Sequence, residues 1–217
     1  MAQEMLILAI TSLSLGFIHT LIGPDHYIPF IAMAKAGKWQ LRKTIIITLL
    51  CGIGHILSSV LLGIIGIALG IAVTRLTAIE YLRGEIAGWF LLIFGLIYFL
   101  FGIYIALKNS HHEHFTINKN NKKANLTPWI LFTIFVFGPC EPLIPLVMYP
   151  AAKGSILGLL LVTGIFGITT IATMLAIVII ASLGVNLMPM EKFERYMHAL
   201  AGLAILLCGI AIKFLGL

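Results

Sequence analysis

Charge is what this chain has least of. Charged residues make up 10% of its 217 positions, against about 25% in an ordinary soluble domain, and the mean hydropathy is +1.09. A water-soluble globule is excluded. Acidic residues are scarcest, 8 against 14 Lys and Arg. The resulting charge of +6 does not point to nucleic acid, because the basic residues stand in connections between apolar runs, where they report orientation. Cysteine is also scarce: Cys51, Cys140 and Cys208 all fall inside apolar segments, so no exposed disulfide framework is implied. The period-2 alternation of membrane barrel strands is missing. The first apolar segment has no basic leader region and contains His19, Asp25 and His26, so it reads as a permanent span and not a cleaved signal peptide.

What is present is a series of six apolar stretches, near residues 5–35, 44–73, 85–107, 128–151, 155–184 and 197–216. Each is long enough for a helix of about 20 residues to cross a bilayer. Polar residues collect between them, at 35–43, 74–83, 108–127, 153–154 and 186–195, and read as loops. Ten of the 14 Lys and Arg lie on one side of the alternation, including Lys35, Arg42, Lys108 and Lys192, while Arg75, Arg83, Lys153 and Lys213 lie on the other. The positive-inside rule then sets a multi-pass protein in the inner (cytoplasmic) membrane with both termini outside. The expected partner is the lipid bilayer, with no nucleic acid, no enzymatic activity and no prosthetic group.

The chain also repeats itself. Gly23-Pro24-Asp25-His26 with Pro29 answers to Gly138-Pro139-Cys140-Glu141 with Pro145, and Gly95 and Gly102 match Gly202 and Gly209 in heptad spacing. The expected fold is an all-α polytopic membrane protein, residues 1–217 as a single transmembrane domain. Its six transmembrane helices form a 3+3 inverted repeat with helices 1 and 4 broken: repeat A 1–107, a His-containing loop 108–127, repeat B 128–217. The glycine faces suit close helix packing and leave room for a homo-oligomer.

The breaks locate the candidate site. Pro24 lacks an amide hydrogen and presses on the carbonyl of Thr20, while Gly23 tolerates an unwound turn. Irregular backbone at membrane depth is tolerated where it is buried in protein or lines a polar cavity. His19, Asp25, His26, His55, Cys140 and Glu141 cluster at or beside the two breaks. A carboxylate at the centre of a span costs about 2.5–3.5 kcal/mol even on the lenient insertion scale, so such residues mark pathways, relays or counter-ion sites. Imidazole, carboxylate and thiolate are the side chains that bind first-row divalent ions. With no buried Arg or Lys expected beside them, the set suits a transported divalent transition-metal cation, bound by His19, Asp25, His26, His55, Cys140 and Glu141. In an unbroken helix His19 and His26 would stand about 10 Å apart along the axis; the break is expected to fold them together. The His111-His112-Glu113-His114 tract is of a type that collects metal ions.

The segment from His19 to His26, followed by Gly54-His55 with Ser58-Ser59, resembles the nickel/cobalt permeases of the NicO and NiCoT type, with the two histidines one residue further apart than is common there. That resemblance implies that His19, Asp25, His26 and His55 handle nickel or cobalt. Phe137-Gly138-Pro139-Cys140-Glu141-Pro142 is similar to the Pro-Cys segments of the CcdA/DsbD electron carriers, and the whole chain is similar in plan to the UreH-like and TauE/SafE proteins. These resemblances imply two alternatives: a transmembrane thiol-disulfide carrier or a sulfite/oxyanion exporter. The thiol carriers need one cysteine from each repeat, and Asp25 stands where the first would be.

Overall fold

The computed structural model describes residues 2–108, 126–138, 140, 142–187 and 191–215. Pro139, Glu141 and the tract 111–114 lie outside the described residues. All described secondary structure is helical: α1 (Ala2–Ile22), a single 3-10 turn (Pro24–His26), α2 (Ile28–Ala36), α3 (Leu41–Ala68), α4 (Val73–Lys108), α5 (Leu126–Phe137), α6 (Leu143–Ala152), α7 (Ile156–Leu187), a second 3-10 segment (Glu191–Tyr196) and α8 (Met197–Leu215). Among the described residues, five helices are long and apolar enough to cross a membrane: α1, α3, α4, α7 and α8. The stretch expected as the fourth span divides into α5 and α6, of 12 and 10 residues. Leu6, Ile7, Ile64, Ile97, Ile168 and Ile180 are among many large apolar side chains left exposed, far more than a soluble surface carries. Lipid is their natural solvent.

Two apolar cores flank the centre. Phe30, Met33, Cys51, Leu91, Leu131 and Ile205 belong to one; Cys140, Leu143, Val162 and Phe166 belong to the other. The tightest seam is α4 on α8. A Cβ added to Gly102 would lie 2.2 Å from the Ala199 nitrogen, and one added to Gly202 would lie 2.2 Å from the Phe99 nitrogen. Only glycine permits backbones to touch this closely.

One expected loop is helix. Residues 74–83 form the first turns of α4, a 36-residue helix. The segment Thr74–Arg83 holds neither glycine nor proline. Leu76 and Glu80, both fully buried, and Arg83 recur at helical spacing on its inner face. Leu76 packs against Gly66 of α3.

Candidate functional site

The first break is built by Gly23. The backbone N–H of Gly23 still bonds back to the carbonyl of His19, and the chain then turns through Pro24–His26 before α2 begins. A Cβ at Gly23 would lie 2.7 Å from His26 Nδ1 and 2.9 Å from Asp25 Oδ1, so the absent side chain is the space these two occupy. The turn brings the His19 and His26 rings to a centroid separation of 4.8 Å. His55 of α3 joins them, 5.2 Å from His26 and 6.4 Å from His19.

The tautomers follow from the partners. His26 Nδ1 lies 3.1 Å from the Gly23 carbonyl and 3.0 Å from Asp25 Oδ1. His55 Nδ1 lies 3.3 Å from the Phe135 carbonyl. A carbonyl only accepts, so Nδ1 carries the proton in both rings and Nε2 presents a lone pair. Both Nε2 atoms are buried with no hydrogen-bond partner among the described residues. Metal-ligating histidines commonly have their second nitrogen fixed in this way.

The second break supplies sulfur. After α5 ends at Phe137, Cys140 is fully buried, with its Sγ 4.0 Å from His19 Nε2. Donor atoms of His19, His55 and Cys140 all lie within 4.8 Å of one another. Donors on a tetrahedral zinc-like ion stand about 3.5 Å apart, given bonds of about 2.0–2.3 Å. Side-chain adjustments of about an ångström would close this site around one ion. Asp25, whose side chain is 28% exposed, lines the adjoining cavity with His19, His26 and His55. The structure thus brings together His19, Asp25, His26, His55 and Cys140.

Against the expectation of no buried Arg or Lys beside these residues, Arg83, its side chain 16% exposed, reaches the second break. Arg83 donates to Glu80 Oε1 at 2.6 Å, to Ser58 Oγ at 2.8 Å and to the Val136 carbonyl at 2.8 Å. Its guanidinium reaches the Gly138 carbonyl at 3.5 Å, and the Cys140 backbone N–H donates to Glu80 Oε2 at 3.3 Å. The Arg83 and Glu80 charges offset each other, which leaves Asp25 as the unbalanced carboxylate among the described residues at the centre. Sequence reading missed the pair because polar residues bordering an apolar run look like a loop. The available signal was the helical spacing of Leu76, Glu80 and Arg83 in a segment free of glycine and proline.

Fold and site together define a multi-pass helical membrane protein with a buried polar centre where α1 gives way to α2 and α5 to α6. The chain belongs to the family described as cytochrome c biogenesis protein transmembrane region, whose model matches residues 28–211. Comparison with curated proteins and with solved structures gave no match. Membership favours the resemblance to the CcdA/DsbD carriers, and nothing in the comparisons supports nickel or cobalt specificity. The matched stretch includes His55, Glu80, Arg83 and Cys140 and begins after His19, Asp25 and His26.

Proposed function

We propose that the chain is a membrane carrier that moves a divalent transition-metal ion through the centre formed by His19, His26, His55 and Cys140, with Asp25 supplying negative charge. The observation that carries this reading is the pair of buried Nε2 lone pairs of His26 and His55, without a hydrogen-bond partner among the described residues, beside the thiol of Cys140 and the imidazole of His19. Leaving such acceptors empty in a low-dielectric interior is costly, and an ion held by His19, His55 and Cys140 would satisfy that of His55. Cys140 binds as thiolate, so loading releases its proton and affinity rises with pH, by about tenfold per unit for one proton. In this reading the protein lies in the inner membrane with both termini outside, and the His111–His114 tract gathers ions on the cytoplasmic side.

We assign to the same carrier the six-crossing 3+3 plan, with α1 plus α2 and α5 plus α6 as the broken first helices of the two repeats. What supports it is the symmetry of the packing. α1 and α2 pack on α7 as α5 and α6 pack on α3. On the α4–α8 seam, Gly95 meets Leu206 as Gly202 meets Phe99, and Gly102 meets Ala199 as Gly209 meets Leu92. One constant shift in residue number converts each contact into its counterpart.

Family membership favours a second reading, in which Cys140 is the thiol of a transmembrane thiol-disulfide carrier. Against it stands the separation of the cysteines: all three are free, and Cys51 and Cys208 belong to the core that does not contain Cys140. Metal flux into proteoliposomes, run beside trapping of mixed disulfides at Cys140, separates the two. The metal reading expects Asp25→Asn and His26→Ala to abolish flux and Cys140→Ser to reduce it. Unchanged flux in Asp25→Asn, together with a trapped mixed disulfide that Cys140→Ser removes, would give the function to thiol transfer.

A further inference from the structure

We infer that Glu85 is an outer station on the path to the buried centre, occupied at rest by the Lys213 ammonium as a tethered cation that an incoming metal ion displaces. The inference rests on the metal reading and deepens it by naming the entry. A cavity of about 440 Å³ runs from His19, Asp25, His26 and His55 to Tyr81, Glu85 and Lys213. Exposure differs along it: His26 and His55 are each 2% exposed, and the Glu85 side chain is 34% exposed. The histidines are therefore the floor and Glu85 is at the mouth. Asp25 and Glu85 are the two carboxylates among the lining residues, and much of the wall is apolar, including Leu15, Ile18 and Leu91. A cation entering this largely apolar channel passes Glu85, its side chain 34% exposed, and Asp25, 28% exposed, before the buried histidines.

Lys213 of α8 is ion-paired with Glu85 of α4, and its ammonium also lies 5.4 Å from the centroid of the Trp89 ring. When a metal ion takes Glu85, the displaced ammonium has the face of Trp89 as an alternative partner. The movement belongs to side chains and not to helices. Backbone contact at Gly95, Gly102, Gly202 and Gly209 locks α4 against α8, so the two sides of the pair cannot slide apart. Lys213 then competes with the mobile cation for one carboxylate, and Glu85 concentrates cations at the mouth.

Stopped-flow absorbance of Co²⁺ binding to the purified full chain in detergent tests this. Lys213→Met should load about tenfold faster and Glu85→Gln about tenfold slower, the lower end of electrostatic focusing, with the final absorbance unchanged in both. Lys213→Arg, which keeps the tethered charge, should load at the wild-type rate. A pair that only holds α4 to α8 would give changes of the same sign in Lys213→Met and Glu85→Gln, or none, and either result overturns the station. Absence of Co²⁺ absorbance in the wild type overturns the metal reading itself, whereas normal absorbance with unaltered loading rates in both variants overturns only the station.

Discussion

The two helix breaks face each other across one centre, but they are stabilised by opposite means. The break at Gly23 is self-contained, because its polar groups come from its own turn: His26 takes the Gly23 carbonyl and Asp25, and Gly23 bonds back to His19. The break after Phe137 borrows its partners from elsewhere. His55 of α3 takes the Phe135 carbonyl, Arg83 of α4 takes Val136 and Gly138, and Glu80 accepts the Cys140 N–H. Each freed backbone group in a membrane interior needs a partner. A break rich in imidazole and carboxylate meets that need locally, whereas a break whose Cys140 is a weak hydrogen-bonder calls in a charged pair from the next helix. The difference predicts that damage to the first break injures the site, and damage to the partners of the second injures the fold.

Arg83→Met carries the largest expected effect. It removes the ion pair to Glu80, whose side chain is 1% exposed, and strips the Val136 carbonyl of the Arg83 donor. The cost is about 3–5 kcal/mol, read as a large fall in the thermal unfolding midpoint in detergent. A variant as stable as the wild type would mean that the second break does not depend on this pair.

Gly23→Ala is expected to cost less stability and more function. The added Cβ meets the movable ends of the His26 and Asp25 side chains, and overpacking of this kind costs about 1–3 kcal/mol. Relief comes from rotating His26 and Asp25 out of register. Co²⁺ affinity should fall by about 10–100-fold, the range seen when a metal ligand loses its orienting partner, while the unfolding midpoint falls less than in Arg83→Met. A stability loss larger than that of Arg83→Met, with affinity unchanged, would reverse the comparison.

The contrast between the breaks also explains what was legible in the sequence. Gly23-Pro24 beside His19, Asp25 and His26 carries its chemistry within one turn, so both the break and the meeting of the two imidazoles could be read from local rules. Gly138-Pro139-Cys140 was legible as a break and not as a held structure. Its partners lie on α3 and α4, and a single sequence does not reveal that Arg83 reaches Val136. The glycines of α4 and α8 were legible as packing positions because heptad spacing places them on one helix face. That they face one another across a single seam is tertiary information. The division of the fourth apolar stretch into α5 and α6 followed from its prolines, but its helices are too short for either to be a span by itself.

If the two breaks meet at one metal-binding centre with Cys140 among its ligands, X-ray absorption at the zinc edge reports those ligands. Protein loaded with one equivalent of Zn²⁺ is predicted to show one sulfur at about 2.3 Å and nitrogens at about 2.0–2.1 Å, with the sulfur lost in Cys140→Ser and nitrogens lost in His55→Ala. Retention of zinc with a shell of oxygen alone, or with no sulfur in the wild type, would mean that the two breaks do not form this centre.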